Sequence, residues 1–203
     1  MTDANDLQTS WQRFADWFAA HTPVTFRAGR ADADGPLSSL FLLVDGQVGT
    51  AAVFDGGFSL LSLDDARGEK AMLDTLARDE QWPSSWWSPT WFPFASDGCG
   101  QVLVVDGDTG SVIEFIHDDE DRPVLAPSLV EFLVERAEEL EQGRQVFDAH
   151  IGVVDAGHAA RRQQRQEARA AQEAVYAGRA RWFPLVALGV ALVFALVWAL
   201  TQH

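Results

Sequence analysis

The chain has 203 residues, a formal net charge of −15, a single cysteine and 47% hydrophobic residues. That length accommodates one domain with a proper core plus accessory segments. One cysteine excludes an intramolecular disulfide, and an N-terminus that is polar and acidic rather than basic then apolar does not resemble a secretory leader.

Leu7, Trp11, Phe14 and Phe18 fall on one stripe of an amphipathic helix, which Asn5 or Asp6 can cap and His21-Thr22-Pro23 ends. Residues 24–36 are rich in Gly and Asp and read as loop. Residues 37–44 are a short apolar run, by pattern either helix or strand, closed by Asp45-Gly46. Residues 48–54 and 58–63 look like two strands joined by Asp55-Gly56-Gly57. A helix should then open at Ser62 and run to about Arg78, with Met72, Leu73 and Leu76 facing inward. The loop at 79–88 carries Trp82, Trp86 and Trp87. Indoles of this size belong in a core, but three in one loop leave open that one serves a binding surface.

Three strands are expected next: residues 91–96, 102–106 and 112–116, with a shorter run at 124–126. Asp97-Gly98 and Gly107-Asp108-Thr109-Gly110 supply the turns. Pro93 donates no ladder bond, which places its strand at an edge or at its start. Cys99 in the first turn is read as a small spacer, since no basic residue or His lies near it in sequence to activate it. The second turn faintly suggests a calcium loop, but its twelfth position is His117 instead of the bidentate Glu, and a plain hairpin turn is the better reading. Asp118, Asp119, Glu120 and Asp121 form a run of four carboxylates, either a solvated tip or a docking patch for a basic partner or a metal. Ser128 and Glu131 have the spacing of a capping box, each side chain satisfying the other's backbone N–H. The helix they open presents Leu129, Leu133, Ala137 and Leu140 on one face and Glu135, Glu138, Glu139 and Glu141 on the other, and stops at Gly143. Val146, Phe147, Ile151 and Val154 suggest one or two further amphipathic turns.

The order of these pieces, "WWSPTWFPFASDGCGQVLVVD" followed by "GSVIEFIHDDEDRPVLAPSLVEFL", resembles the Smi1/Knr4 (SUKH) family. "SWQRFADWFAAHTP", "LLVDGQVG" and "FDGGFSLLSLDDA" look like the N-terminal half of that family, so the resemblance spans residues 7–143. Trp91, Pro93, Asp97, Gly98, Gly100, Asp106 and Ser128 are the structural positions of the motif that the resemblance marks. It implies an α+β domain, an antiparallel sheet flanked by helices, and favours helix for residues 37–44. It also implies a protein-binding module: many bacterial members are immunity proteins against polymorphic toxins, and fungal members regulate cell-wall assembly. Under this reading the partner surface is built from Trp82, Trp86 and Trp87 with Asp118, Asp119, Glu120 and Asp121.

The charge is divided unevenly. Residues 1–155 carry nine basic against 28 acidic side chains, while residues 156–203 carry six Arg against two Glu. Residues 159–181 are rich in Arg, Gln and Ala, good helix formers with no face to bury, and read as a helical stalk or partly ordered linker. A nucleic-acid-binding helix is the other reading of that composition. Its position decides against it, because residues 182–200 follow without a single charge. As a helix those nineteen residues span roughly 28 Å, about one hydrocarbon core. Trp182 and Trp198 lie where interfacial aromatics belong, and Arg179 and Arg181 flank the near end. The expected organisation is therefore a globular domain at 1–143, a basic juxtamembrane stalk at 144–181 and a membrane-spanning helix at 182–200. The arginines before the span predict a tail-anchored protein with its domain in the cytoplasm and its C-terminus outside.

No phosphate-cradling Gly-rich loop, nucleophile elbow or zinc-binding His-Glu-x-x-His motif occurs, and the five histidines make no ligand spacing. The sequence therefore predicts binding without catalysis, and no cofactor, metal or direct nucleic-acid contact. A toxin-neutralising immunity protein with a basic protein partner is the leading function; an envelope regulator or scaffold is the alternative.

Overall fold

A five-stranded antiparallel sheet lies between helices that cover its two faces, and its alternating side chains feed two separate cores. The computed structural model describes residues 4–161, 164, 165 and 167. The chain divides into two units, residues 1–157 and 158–203, of which the first holds every element discussed below.

The first helix, α1 (Ala4–His21), starts before Asn5 and Asp6, and it buries Leu7, Trp11, Phe14 and Phe18 as their spacing predicts. Residues 24–36 are not all loop: Thr25–Ala28 form β1, paired antiparallel with β2 (Val44–Val48). The intervening apolar run resolves into a single helical turn, α2 (Ser38–Phe41), followed directly by β2. Asp45-Gly46 therefore lies inside a strand instead of ending a helix, with Gly46 at φ +80°. The Gly46 backbone passes so close to Ser62 that a Cβ would sit 2.7 Å from the Ser62 nitrogen. β2 then stops at Val48, so the expected strand at 48–54 is reduced to Phe54 bridging Phe58 across the 3₁₀ turn Asp55–Gly57. Buried Gln47 takes the place of ladder bonds here. Its amide donates to the Ala51 carbonyl at 2.7 Å, and its Oε1 accepts from the Leu60 N–H at 2.8 Å.

In the main sheet the order is β3 (Ser59–Leu60), β4 (Trp91–Ser96), β5 (Val102–Asp106), β6 (Val112–Phe115) and β7 (Val124–Ala126). β3 pairs only with Ala95 and Ser96, so at Pro93 the strand is an open edge and the missing N–H costs no ladder bond. Phe92, Phe94, Leu103, Val105 and Val112 point to one face; Trp91, Val102, Val104, Ile113 and Phe115 point to the other.

The first face packs on α1 and on α4 (Leu129–Glu141) through a cluster of phenylalanines, Phe14 stacking on Phe54 at 5.3 Å and Phe54 lying 5.4 Å from Phe132. α4 begins as the sequence predicts, the Ser128 hydroxyl accepting from the Glu131 N–H at 3.2 Å. The reciprocal half of the box differs: the Glu131 carboxylate receives the Ser128 hydroxyl rather than its backbone N–H. The helix ends in a Schellman motif, with Gly143 N–H donating to Leu140 and Arg144 N–H to Glu139 while Gly143 takes φ +68°. The acidic face is not left wholly to solvent, since Arg13 of α1 forms a bidentate pair with Glu141. That exposed pair is worth no more than about 1 kcal/mol.

The second face packs on α3 (Leu63–Asp79), capped by Ser62, whose hydroxyl accepts from the Asp65 N–H at 3.1 Å. Leu63, Ala66 and Leu73 are buried, but Met72 and Leu76 are 46% and 37% exposed, contrary to the sequence reading. The sheet meets one narrow stripe of α3, and these two side chains lie beyond it.

Beyond Gly143 the anticipated helical turns are absent. Gln145–Asp148 and Gly152–Asp155 form a hairpin, β8 and β9, so the beginning of the expected 144–181 stalk is a folded part of the first unit. Gly152, at φ +97°, lies against Ala52 so tightly that a Cβ would meet its carbonyl oxygen, and Val153 N–H donates to that same carbonyl. Among the described residues no helix is long and apolar enough to cross a membrane. The expected span at 182–200, with Arg179, Arg181, Trp182 and Trp198, lies outside the described residues, as does most of the 159–181 stretch.

Candidate partner-binding surface

The loop after α3 is held from inside by its tryptophans. Trp82 N–H continues the helical bonding by donating to the Ala77 carbonyl at 2.8 Å, and Trp86 N–H donates to Pro83 at 2.8 Å. Trp87 is buried, edge-on to Phe115 at 5.1 Å, and its indole N–H donates to the Asp74 carboxylate at 2.8 Å. Lys70 Nζ neutralises that carboxylate from one turn earlier at 3.0 Å and donates to the Pro89 carbonyl. Trp87 is thus a core residue with a satisfied polar handle. Trp82 and Trp86 are different. Both are half-buried and face each other with ring centroids 6.2 Å apart, and Trp82 also lies 6.2 Å from Phe115.

Asp118, Asp119, Glu120 and Asp121 are all exposed at the β6–β7 connection. What joins this acidic run to the tryptophan loop is Arg122, which sequence reasoning overlooked. Its guanidinium lies between two rings, 4.8 Å from the Trp86 centroid and 4.6 Å from that of Phe115. Its Nε donates to the Trp86 carbonyl at 2.9 Å, 36 residues away in sequence, and Nη1 donates to the carbonyls of Asp119 and Asp121. Burial lowers its pKa, opposed by the Asp119 and Asp121 charges. The positive charge is therefore turned inward onto rings and carbonyls, while the four carboxylates of the run face solvent. Arg122 Nη2 and Trp86 Nε1 are buried donors without an acceptor. The only sequence hint to Arg122 was its position as the single basic residue directly after four acids. Nothing in that pattern says that it folds back onto a loop from the far side of two strands.

The remaining motif positions are structural. Asp97 Oδ1 accepts from the N–H groups of Cys99 and Gln101 at 2.7 and 2.9 Å, closing the β4–β5 turn in which Gly98 and Gly100 take positive φ. Cys99 is exposed at its tip. Asp106 does the same for the β5–β6 turn, accepting from the Asp108 N–H and from the hydroxyls of Thr90 and Thr109, each at 3.0 Å. Partial burial pushes the Asp106 carboxyl up, but these donors outweigh it and hold its pKa below the ordinary value. Because Thr90 precedes β4, Asp106 also ties the end of the tryptophan loop to the sheet.

Residues 37–135 match the model of the SMI1 / KNR4 family (SUKH-1), and this span is a domain of that family. It runs from α2 into α4 and contains the whole main sheet, the tryptophan loop and the acidic run. It is shorter at both ends than the resemblance drawn from the motifs, leaving out α1 and the C-terminal half of α4. No curated protein matches the chain.

Proposed function

We propose that this chain is a membrane-tethered protein-binding module, an immunity protein that neutralises a toxin by occluding it. The observation that carries this reading is Arg122, which fixes an exposed run of four carboxylates beside two half-buried tryptophans. Such a surface combines long-range attraction with aromatic anchors, the chemistry that recognises a basic protein. SUKH domains typically bind protein partners, and the family includes immunity proteins. An excess of 28 acidic over nine basic side chains in residues 1–155 supports rapid, salt-sensitive capture. The uncharged stretch at 182–200, preceded by six arginines, supports a tether that keeps the domain at the inner face of the cytoplasmic membrane. The module acts by binding alone, without catalysis.

Co-expression with the toxin encoded beside it should restore growth, and the complex should co-purify and weaken as salt rises. Trp86→Ala should abolish the rescue. Absence of both rescue and complex with every neighbouring toxin would overturn the immunity reading in favour of an envelope regulator.

A further inference from the structure

On the opposite face of the sheet from Arg122 lies a cavity of about 230 Å³. Phe54, Phe58, Leu103 and Phe132 line it and are buried; Glu114 of β6 and Arg136 of α4 line it and are half-buried. The two charged groups do not pair with each other. Arg136 directs its Nη atoms to Glu135 and Glu139 on its own helix, both at 3.2 Å, and its Nε is buried without an acceptor. The Glu114 carboxylate has no hydrogen-bond donor or cation within reach among the described residues, and its nearest charges are the like charges of Asp97 and Asp55. Desolvation, with those two carboxylates, raises the Glu114 pKa.

An unpaired carboxylate and an unsatisfied guanidinium N–H above a floor of rings is a demand for three things at once. A purely cationic ligand would oppose Arg136, and a purely anionic one would oppose Glu114 and Asp55. A zwitterion with an apolar tail meets all three. The volume, roughly eight water volumes, is below that of a drug-sized pocket and suits a small metabolite. We propose that this cavity binds a free apolar α-amino acid, its ammonium on Glu114, its carboxylate on Arg136 Nε and its side chain among Phe54, Phe58 and Phe132. The site is separate from the partner surface, so its occupancy is independent of the immunity reading.

Calorimetry on the full-length chain with L-leucine, L-isoleucine and L-phenylalanine should show saturable 1:1 binding of at least one of them. 3-Methylbutan-1-amine and 4-methylpentanoate, which carry the leucine side chain with one charge each, should bind at least about tenfold more weakly, the loss of one charge-assisted contact. Glu114→Gln and Arg136→Lys should each weaken leucine binding by about the same factor. Leu125→Trp, which fills the cavity from β7 and removes no charge, should abolish it. Absence of saturable binding up to about 10 mM, a K_d of about −2.7 kcal/mol or weaker, overturns the proposal. So do equal affinities for the single-charge analogues, and so does binding that survives Leu125→Trp.

Discussion

The two faces of the main sheet are built from the same strands but solve different problems. The face toward α1 and α4 is lined by Phe14, Phe18, Phe54, Phe94 and Phe132, ring against ring, with its charges kept to the margin. The face toward α3 is smaller and takes charges inside: Lys70 and Asp74 under Trp87, and Arg122 between Trp86 and Phe115. Burying charge costs stability unless each group is partnered, and here two donors remain without acceptors. The first face therefore holds the fold together, and the second spends part of its stability on fixing a surface loop in place.

The strongest way to test that division is to remove one ring from each face. Phe14→Ala, at a fully buried ring, should destabilise the domain by about 3–5 kcal/mol in a denaturant melt. Trp86→Ala should cost clearly less while removing partner binding; equal costs would erase the distinction between the faces. Next in size is Arg122→Met, which keeps much of the stacking stem but frees three backbone carbonyls. A loss of about 2 kcal/mol is expected, with faster exchange of the amide hydrogens at 118–121. Unchanged exchange would mean that the acidic loop is ordered without Arg122.

Ser128→Ala removes one N-cap on the first face and should cost about 1 kcal/mol. Asp106→Asn, on the turn next to the tryptophan loop, should cost a similar amount at pH 7. Its pKa is lowered on folding, so its contribution is complete above the ordinary aspartate range and fades as pH falls through the lowered value. The stability difference between wild type and Asp106→Asn should therefore shrink on acidification; a difference that grows would contradict the bonding described. Asp118→Ala is the smallest change, within about 0.5 kcal/mol in stability, since the residue is exposed. It should still slow association with a basic partner, and more so at low salt.

Local chemistry made part of this protein legible in advance. The stripe of α1, the caps at Ser62 and Ser128, the stop at Gly143 and the turns at Asp97-Gly98 and Asp106–Gly110 depend on neighbours within about five residues. At that range side-chain type fixes backbone geometry, and the Smi1/Knr4 motif follows from the order of such pieces. Tertiary structure decided what depends on distant partners. β1 and β2 form because they pair with each other, although neither has a strong pattern of its own, and residues 145–155 become a hairpin because Gly152 lets the backbone press against Ala52. Met72 and Leu76 stay outside because the sheet offers α3 only one narrow stripe to bury against. Arg122 reaches Trp86 across 36 residues, and Glu114 shares a cavity with Arg136 of another element. Sequence pattern reports which side chains want burial or a partner; only the folded chain brings a particular ring, carbonyl or unpaired charge within reach.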